Sequence, residues 1–176
     1  GGGINKLRSG TWNFDHYKLI NYQNKESDNV WQILESKDKT LWVTTFSKGS
    51  LYFFDRKNNK FEIFDRKFHE NLFAITEDRD EVLWGGNAIS LIKIDRKNLK
   101  HSYTEIGKPV RVIYEDTDGN FWLGTEGGGL ILFDRKKNKI VKRFSTDNGL
   151  PSNSILSIRE NKRNGDLWIS TPNGLS

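Results

Sequence analysis

A purely β architecture, assembled from one four-stranded unit used several times, is what this 176-residue sequence predicts, and three observations predict it. The first is a recurring Trp preceded by a bulky apolar residue: Leu41-Trp42, Leu83-Trp84, Phe121-Trp122 and Leu167-Trp168, with the Trp spaced 42, 38 and 46 residues apart. The second is a Glu held in register with it, seven residues before the first three Trp (Glu35, Glu77, Glu115) and eight before the last (Glu160). The third is an Asp-Arg pair after each of the first three: Asp55-Arg56, Asp95-Arg96 and Asp134-Arg135. Short strands in a period of about 40 residues are the arithmetic of propeller blades. Helical repeats would need a 3.6-residue period, and no stretch sustains one.

Each unit reads as four strands in turn. The first runs up to the Glu: Val30 to Glu35, Leu72 to Glu77, Val110 to Glu115 and Ile155 to Glu160. The second surrounds the Trp, as Leu41 to Thr45 and Phe121 to Thr125. The third ends at the Asp, as Leu51 to Asp55 and Leu130 to Asp134. The fourth is more polar, as Lys60 to Phe64 and Lys139 to Phe144. These runs are β-branched and aromatic, bounded by polar turns such as Asp118-Gly119-Asn120, Asn164-Gly165-Asp166 and Lys57-Asn58-Asn59, which is the strand signature. Blades pack face to face, so Trp42, Trp84, Trp122 and Trp168 are expected to act as one repeated wedge between blades. The uniform Ile33, Ile75, Ile113 and Ile158 are expected to be scaffold.

The ends carry a phase. Gly1 to Leu7 aligns with Gly127 to Phe133, so the chain starts at a third strand and stops at Thr171 to Ser176, as another third strand begins. The expected organisation is a half blade over 1–22, blades over about 29–68, 71–106 and 109–145, and a half blade over 153–176. That is about four blade equivalents. The halves lack complementary strands and are able to close a small ring, but the favoured expectation is a segment of a larger, seven-bladed propeller, because an open arc would expose two apolar faces.

Composition narrows the class. Six Trp and 11 Phe argue for a packed core. No apolar run reaches the ~20 residues of a membrane-spanning helix. The chain opens on Gly1-Gly2-Gly3, without a basic start leading into an apolar stretch, so it is expected to begin inside a longer protein. Cysteine is absent, which excludes disulfides and thiolate metal sites.

Two segments resemble a known family. Asn148-Gly149-Leu150-Pro151-Ser152-Asn153, followed by Gly165-Asp166-Leu167-Trp168-Ile169-Ser170-Thr171-Pro172-Asn173-Gly174-Leu175, is similar to the two-component regulator propeller repeat. So is Glu115 to Thr125 with Gly128-Gly129-Leu130-Ile131-Leu132-Phe133-Asp134. The unit at Trp84 departs, with Gly85-Gly86-Asn87 and a shorter loop, and that at Trp42 carries Thr44-Thr45-Phe46 there. The resemblance implies the sensor region of a Bacteroides-type hybrid two-component histidine kinase. It implies a periplasmic location on a membrane-anchored protein, signalling parts further along, and oligosaccharide ligands.

In propellers, ligands sit on the face formed by the loops entering each first strand and those joining second to third strands. Here these are Lys25 to Asn29, His69 to Asn71, Gly107 to Pro109 and Thr146 to Asn153, with Phe46 to Gly49, Gly86-Asn87, Glu126 to Gly128 and Pro172-Asn173. Four residues before each Glu stand Trp31, Phe73, Arg111 and Leu156. This position diverges while the position two before each Glu is uniformly Ile, so it is the candidate for ligand contact. Trp31 or Phe73 would stack on a sugar ring, and Arg111 would clamp a carboxylate or sulfate. The competing reading is that Trp31 and Phe73 fill the channel wall. Lys48, Asn87, Glu126 and Asn173 are further candidates, against a reading as solvated turn residues.

Other chemistry finds little support. The formal charge is +5, but ten of the 28 basic residues lie in the three turns after Asp55, Asp95 and Asp134, a structural repetition rather than the continuous basic stripe of a nucleic-acid binder. Asp116-Thr117-Asp118-Gly119-Asn120 has Phe121 and Gly127 where an EF-hand needs Gly and Glu. His16, His69 and His101 lie apart, without metal-ligand spacing. Glu126-Gly127-Gly128-Gly129 lacks the Lys-Ser/Thr of a phosphate-binding loop, and no nucleophile elbow or kinase signature occurs. The expectation is a non-catalytic sensor module that binds an oligosaccharide. It needs no cofactor, metal or nucleic acid, and it works with the remainder of its propeller and in a homodimer of the full protein. The alternatives are a propeller lyase or hydrolase acting on a polysaccharide, for which paired carboxylates remain open, and a protein-interaction scaffold.

Overall fold

The computed structural model describes residues 3–27, 29–46 and 51–175, which form two compact units, Gly1–Leu72 and Phe73–Ser176. The first unit holds a hairpin of β1 (Ile4–Leu7) and β2 (Phe14–Tyr17). It also holds a four-stranded sheet of β3 (Val30–Glu35), β4 (Leu41–Thr45), β5 (Leu51–Asp55) and β6 (Lys60–Ile63). The second unit holds three sheets. The first is β7 (Ala74–Glu77), β8 (Leu83–Gly86), β9 (Ser90–Ile94) and β10 (Ser102–Glu105); the second is β11 (Val110–Glu115), β12 (Phe121–Thr125), β13 (Leu130–Asp134) and β14 (Lys139–Phe144). The third is β15 (Ser157–Asn161), β16 (Asp166–Thr171) and β17 (Gly174–Leu175). Every sheet is an antiparallel meander in chain order, which is the propeller blade. The fold class is an all-β propeller of four-stranded blades. The one helical piece among the described residues is a 3₁₀ turn at Thr146–Asn148.

Strands fall where the repeat predicts, with two systematic exceptions. The first strands expected from Leu72 and Ile155 begin at Ala74 and Ser157. At both places two consecutive residues face one partner. The Phe73 N–H bonds Gly86 O while Ala74 pairs with Gly86, and the Leu156 N–H bonds Ser170 O while Ser157 pairs with Ser170. The fourth strand expected to reach Phe64 stops at Ile63.

The turns explain the repeated polar residues. Beyond each Glu stands Ser36, Asp78 or Asp116, whose side chain closes the turn between first and second strands. Asp78 Oδ1 accepts from the N–H of Asp80 and Val82 at 3.0 and 2.9 Å, and Asp116 Oδ1 from Asn120 N–H at 2.7 Å. The same side chain satisfies the indole. Trp42 Nε1–H donates to Ser36 Oγ at 3.0 Å, and Trp84 and Trp122 Nε1–H donate to Asp78 and Asp116 Oδ2 at 2.8 Å. An indole N–H can be buried only if it finds such an acceptor. Burial pushes the Asp116 carboxyl up, but the bonds from Trp122 and Asn120 outweigh it and hold it below the ordinary carboxylate value. At the opposite hairpin, Asp55, Asp95 and Asp134 each accept the next two free N–H groups, as Asp134 does from Lys136 and Lys137 at 2.9 Å. The following Arg reaches back to the first turn: Arg56 Nη2 to Lys39 O and Arg96 Nη2 to Glu81 O, both 2.8 Å.

The recurring Trp are not one uniform wedge. Trp42 and Trp84 are buried, Trp122 is half-buried, and Trp168 is 49% exposed. Trp42 packs edge-on against Phe64 (5.2 Å), just past the end of β6, and Trp122 packs at a tilt against Phe144 (6.1 Å), at the end of β14. Trp84 meets Phe121 of the following sheet. The sheet of Trp168 has three strands among the described residues, so no such ring covers it. Among the uniform Ile, Ile75, Ile113 and Ile158 are buried, but Ile33 is 50% exposed. The β1–β2 hairpin covers the other end of its sheet, where Ile4 and Tyr17 pack with Tyr52 and Phe61.

Within the second unit, successive sheets are joined at their first strands, β11 lying against β7 and β8, and β15 against β11. Apolar side chains of adjacent sheets share one core, Leu91 and Ala74 with Val110, Leu123 and Ile131. Gly124 lets them approach: a Cβ there would lie 2.7 Å from Ile155 Cγ2. The recurring Glu ties one sheet to the turn of the sheet before it. Glu115 Oε2 accepts from Arg79 N–H at 2.7 Å, and Glu160 Oε2 from Thr117 N–H at 3.0 Å. Arg135 adds a clamp, its guanidinium reaching Asp78 at 2.8 Å and Glu115 at 2.6 Å over the Phe121 ring.

Candidate functional site

The divergent position of the repeat has a structural counterpart. Val30 pairs with Thr45 and Gln32 with Thr44, leaving Trp31 outside the ladder; Val110 pairs with Thr125 and Val112 with Gly124, leaving Arg111 outside it. Phe73 and Leu156 occupy the same step of their sheets. All four residues therefore sit at one β-bulge, repeated in the four sheets that follow the β1–β2 hairpin. A bulge inserts an unpaired residue and re-aims its side chain, so its identity is released from the packing that fixes its neighbours.

In the second unit the bulge brings three of the sequence candidates together. Phe73 is buried at 7% exposure, and the Arg111 guanidinium lies over its ring with Cζ 3.9 Å from the centroid. Phe73 thus presents no open face to a sugar, because Arg111 covers it. Arg111 in turn is held by Glu126: its Nε donates to Glu126 Oε2 at 2.8 Å, and its Nη2 donates to the same oxygen. The Glu126 side chain remains 53% exposed.

The surrounding loops are stitched into a continuous rim. Val110 N–H bonds Asn87 O (2.9 Å), Glu126 N–H bonds Pro109 O (2.9 Å), Gly129 N–H bonds Asn153 O (2.8 Å) and Gly127 N–H bonds Ser154 Oγ (3.1 Å). Asn87 serves as turn chemistry, its Oδ1 accepting from the N–H of Ile89 and Ser90 at 3.0 and 2.7 Å. Asn173 is exposed at the far end of the rim, where its Nδ2 reaches Pro151 O at 3.4 Å. The 3₁₀ turn is capped by Ser145 and tied down through Asn153, whose Oδ1 accepts from Thr146 N–H at 2.9 Å.

In the first unit Trp31 is 50% exposed and leans on Phe46, also exposed, with ring centroids 5.9 Å apart and planes 44° apart. Phe46 is a site residue that the sequence reading placed only in a loop range. Its pairing with Trp31 follows from the Phe46 N–H to Asn29 O bond at 2.8 Å, which brings the loop back beside the bulge. Lys48 lies outside the described residues. Among the described residues no group of three His, Asp or Glu gathers in a metal-binding arrangement, and no helix is long and apolar enough to cross a membrane.

Blades joined as meanders, with one diversified bulge per blade, define the class: a repeat propeller that presents a variable rim on a constant frame. Residues 104–127 and 149–173 match the family model described as two component regulator propeller. The fold of the chain is similar to the extracellular domain of BT3049 from B. thetaiotaomicron, assigned to a hybrid two component system (20% identity, TM-score 0.78, 99% of this chain and 23% of that one). It is also similar to PorZ, a surface component of the type-IX secretion system of Porphyromonas gingivalis (19% identity, TM-score 0.76, 99% and 29%). A third likeness is to virginiamycin B lyase from Staphylococcus aureus, solved as an inactive variant with quinupristin (15% identity, TM-score 0.71, 96% and 60%). The chain spans about a quarter of the length of the first two. Among curated proteins no sequence match was found.

Proposed function

We propose that this chain is a segment of a larger propeller in the periplasmic sensor region of a membrane-anchored two-component signalling protein, and that it binds an oligosaccharide without altering it. One observation carries the reading. One backbone irregularity, repeated at the same step of four sheets, displays an indole at Trp31, a ring-backed guanidinium at Arg111 and an aliphatic chain at Leu156. A side chain freed from the ladder by a repeated bulge is available for recognition rather than committed to strand pairing. The repeat family and the likeness to BT3049 support the sensor assignment. Trp31 and Phe46 offer a tilted aromatic surface suited to the apolar face of a pyranose.

Binding becomes a signal when the ligand prefers one arrangement of the sensor over another. The partners on this reading are the remaining blades and a second copy of the full protein. A second reading, a lyase or hydrolase, draws on the likeness to virginiamycin B lyase. Calorimetry against a panel of oligosaccharides, followed by chromatography of the mixture, separates the two. The expected result is heat of binding with the glycan recovered intact, and about a tenfold loss of affinity in Trp31→Ala. Cleaved glycan, or no binding to any member of the panel, overturns the sensor reading.

A further inference from the structure

The most constrained charge on the rim is Arg111. Its cation is fixed before any ligand arrives, because the bulge aims it and the Phe73 ring backs it at 3.9 Å. Its partner is fixed far less. Glu126 projects from a loop, is half exposed, and offers one oxygen, Oε2, to both Nε and Nη2. An Arg fork normally takes a carboxylate with two oxygens. Glu126 therefore fills the fork incompletely, with its second oxygen outside these two bonds. Beside it, the Lys108 side chain lies across Gly128, where a Cβ would come within 2.8 Å of Lys108 Cγ. Lys108 makes no ion pair among the described residues. Lys108 thus adds a second positive charge to the loop region around Glu126, which pairs with Arg111.

We propose that Arg111 is the receptor for the carboxylate of a sugar acid, and that Glu126 is its internal stand-in, displaced when the ligand binds. The ligand carboxylate takes both nitrogens of the fork in parallel, and Lys108 stands near its ring substituents. Exchange is easy because an exposed ion pair is weak and the released Glu126 goes to water. A planar anion is favoured over a tetrahedral one, since the site is already shaped around a carboxylate. This inference rests on the reading of the rim as a glycan site and specifies its chemical class.

The test titrates the whole chain with D-glucuronate, methyl glucoside and inorganic sulfate, following the heat of binding in every variant and the Arg111 Nε–H resonance in those that keep Arg111. Wild type is expected to respond to glucuronate more than to sulfate, with the response weakened by added salt. Glu126→Ala is expected to bind glucuronate about threefold to fivefold more tightly, the factor released by removing one exposed ion pair. Arg111→Gln is expected to lose the response, and Arg111→Lys, which keeps the charge without the fork, to lose most of it. Unchanged glucuronate affinity in Glu126→Ala, full binding by Arg111→Lys, or sulfate bound as well as glucuronate overturns the proposal. If the oligosaccharide panel fails while glucuronate behaves as described, the glycan-sensor reading falls and the carboxylate receptor stands. If neutral glycans bind and Glu126→Ala changes nothing, the reverse holds.

Discussion

The sheet β3–β6 of the first unit and the sheet β11–β14 of the second occupy the same register and answer the same physical demands with different residues. Both carry a Trp on the second strand, buried at Trp42 and half-buried at Trp122, and give its N–H an acceptor just after the Glu, but one uses Ser36 and the other Asp116. Both bulge at the same step, but one shows a half-exposed indole and the other a guanidinium held between a ring and a carboxylate. At the step after the bulge, the second strand has Thr44 in one and Gly124 in the other. Positions that must satisfy a buried polar group tolerate only a change of acceptor. The position released by the bulge tolerates a change of chemistry.

The comparison breaks most sharply at the rim glycines. Gly129 has φ +75, and a Cβ there would lie 1.9 Å from Phe144 O, whereas Gly127 has φ +77 and open space around it. Gly129→Ala is expected to cost about 3 kcal/mol or more, from backbone collision added to left-handed strain. Gly127→Ala is expected to cost about 1 kcal/mol from the strain alone. Denaturant unfolding of the two variants checks the ratio; equal losses would show that the Phe144 contact is unimportant.

Next comes the indole acceptor. Asp116→Ala removes a charged acceptor of three bonds and strands the Trp122 N–H, so a loss of about 2–3 kcal/mol is expected, against about 1 kcal/mol for Ser36→Ala. Parity between them would show that the carboxylate is worth no more than a hydroxyl. The same contrast has a pH signature. The Asp116 carboxyl sits below its ordinary value in the folded chain, so its contribution is complete above about pH 4 and fades as pH falls through the folded value. Asp55, Asp95 and Asp134 are also lowered by the N–H groups of their turns, and the Asn58 amide leads at Asp55. Asp116→Asn is expected to flatten the acid limb of a stability–pH curve, and an unchanged limb would remove Asp116 from that account. The smallest stability effect is expected at the bulge: Trp31→Ala should stay within about 0.5 kcal/mol of wild type, although it weakens glycan binding in calorimetry.

Much of this frame was legible in the residues. The Trp and Glu register placed Val30–Glu35, Leu41–Thr45, Val110–Glu115 and Lys139–Phe144 at their observed ends, because in-register repetition averages out local ambiguity. The divergence of Trp31, Phe73, Arg111 and Leu156 was visible too, but not its cause: a bulge is a property of pairing and leaves no residue signature. Phe73 read as a stacking surface until the fold laid Arg111 across it. Arg111 and Glu126 were candidates separately, 15 residues apart, and only the return of the loop beside the bulge made them a pair. The acceptor role of Ser36, Asp78 and Asp116 went unseen because two different side chains, a hydroxyl and a carboxylate, serve one function.

The bonds from Arg79 N–H to Glu115 and from Thr117 N–H to Glu160 have an evolutionary consequence. In each, one donor is main chain, which every residue but Pro supplies, so that bond asks nothing of the donor's identity, while the Arg79 and Thr117 side chains reinforce it. A module carrying the right Glu can be copied or exchanged and still lock onto whatever precedes it. Such an array is free to lengthen by duplication and to diversify afterwards at the one step per module that no seam constrains.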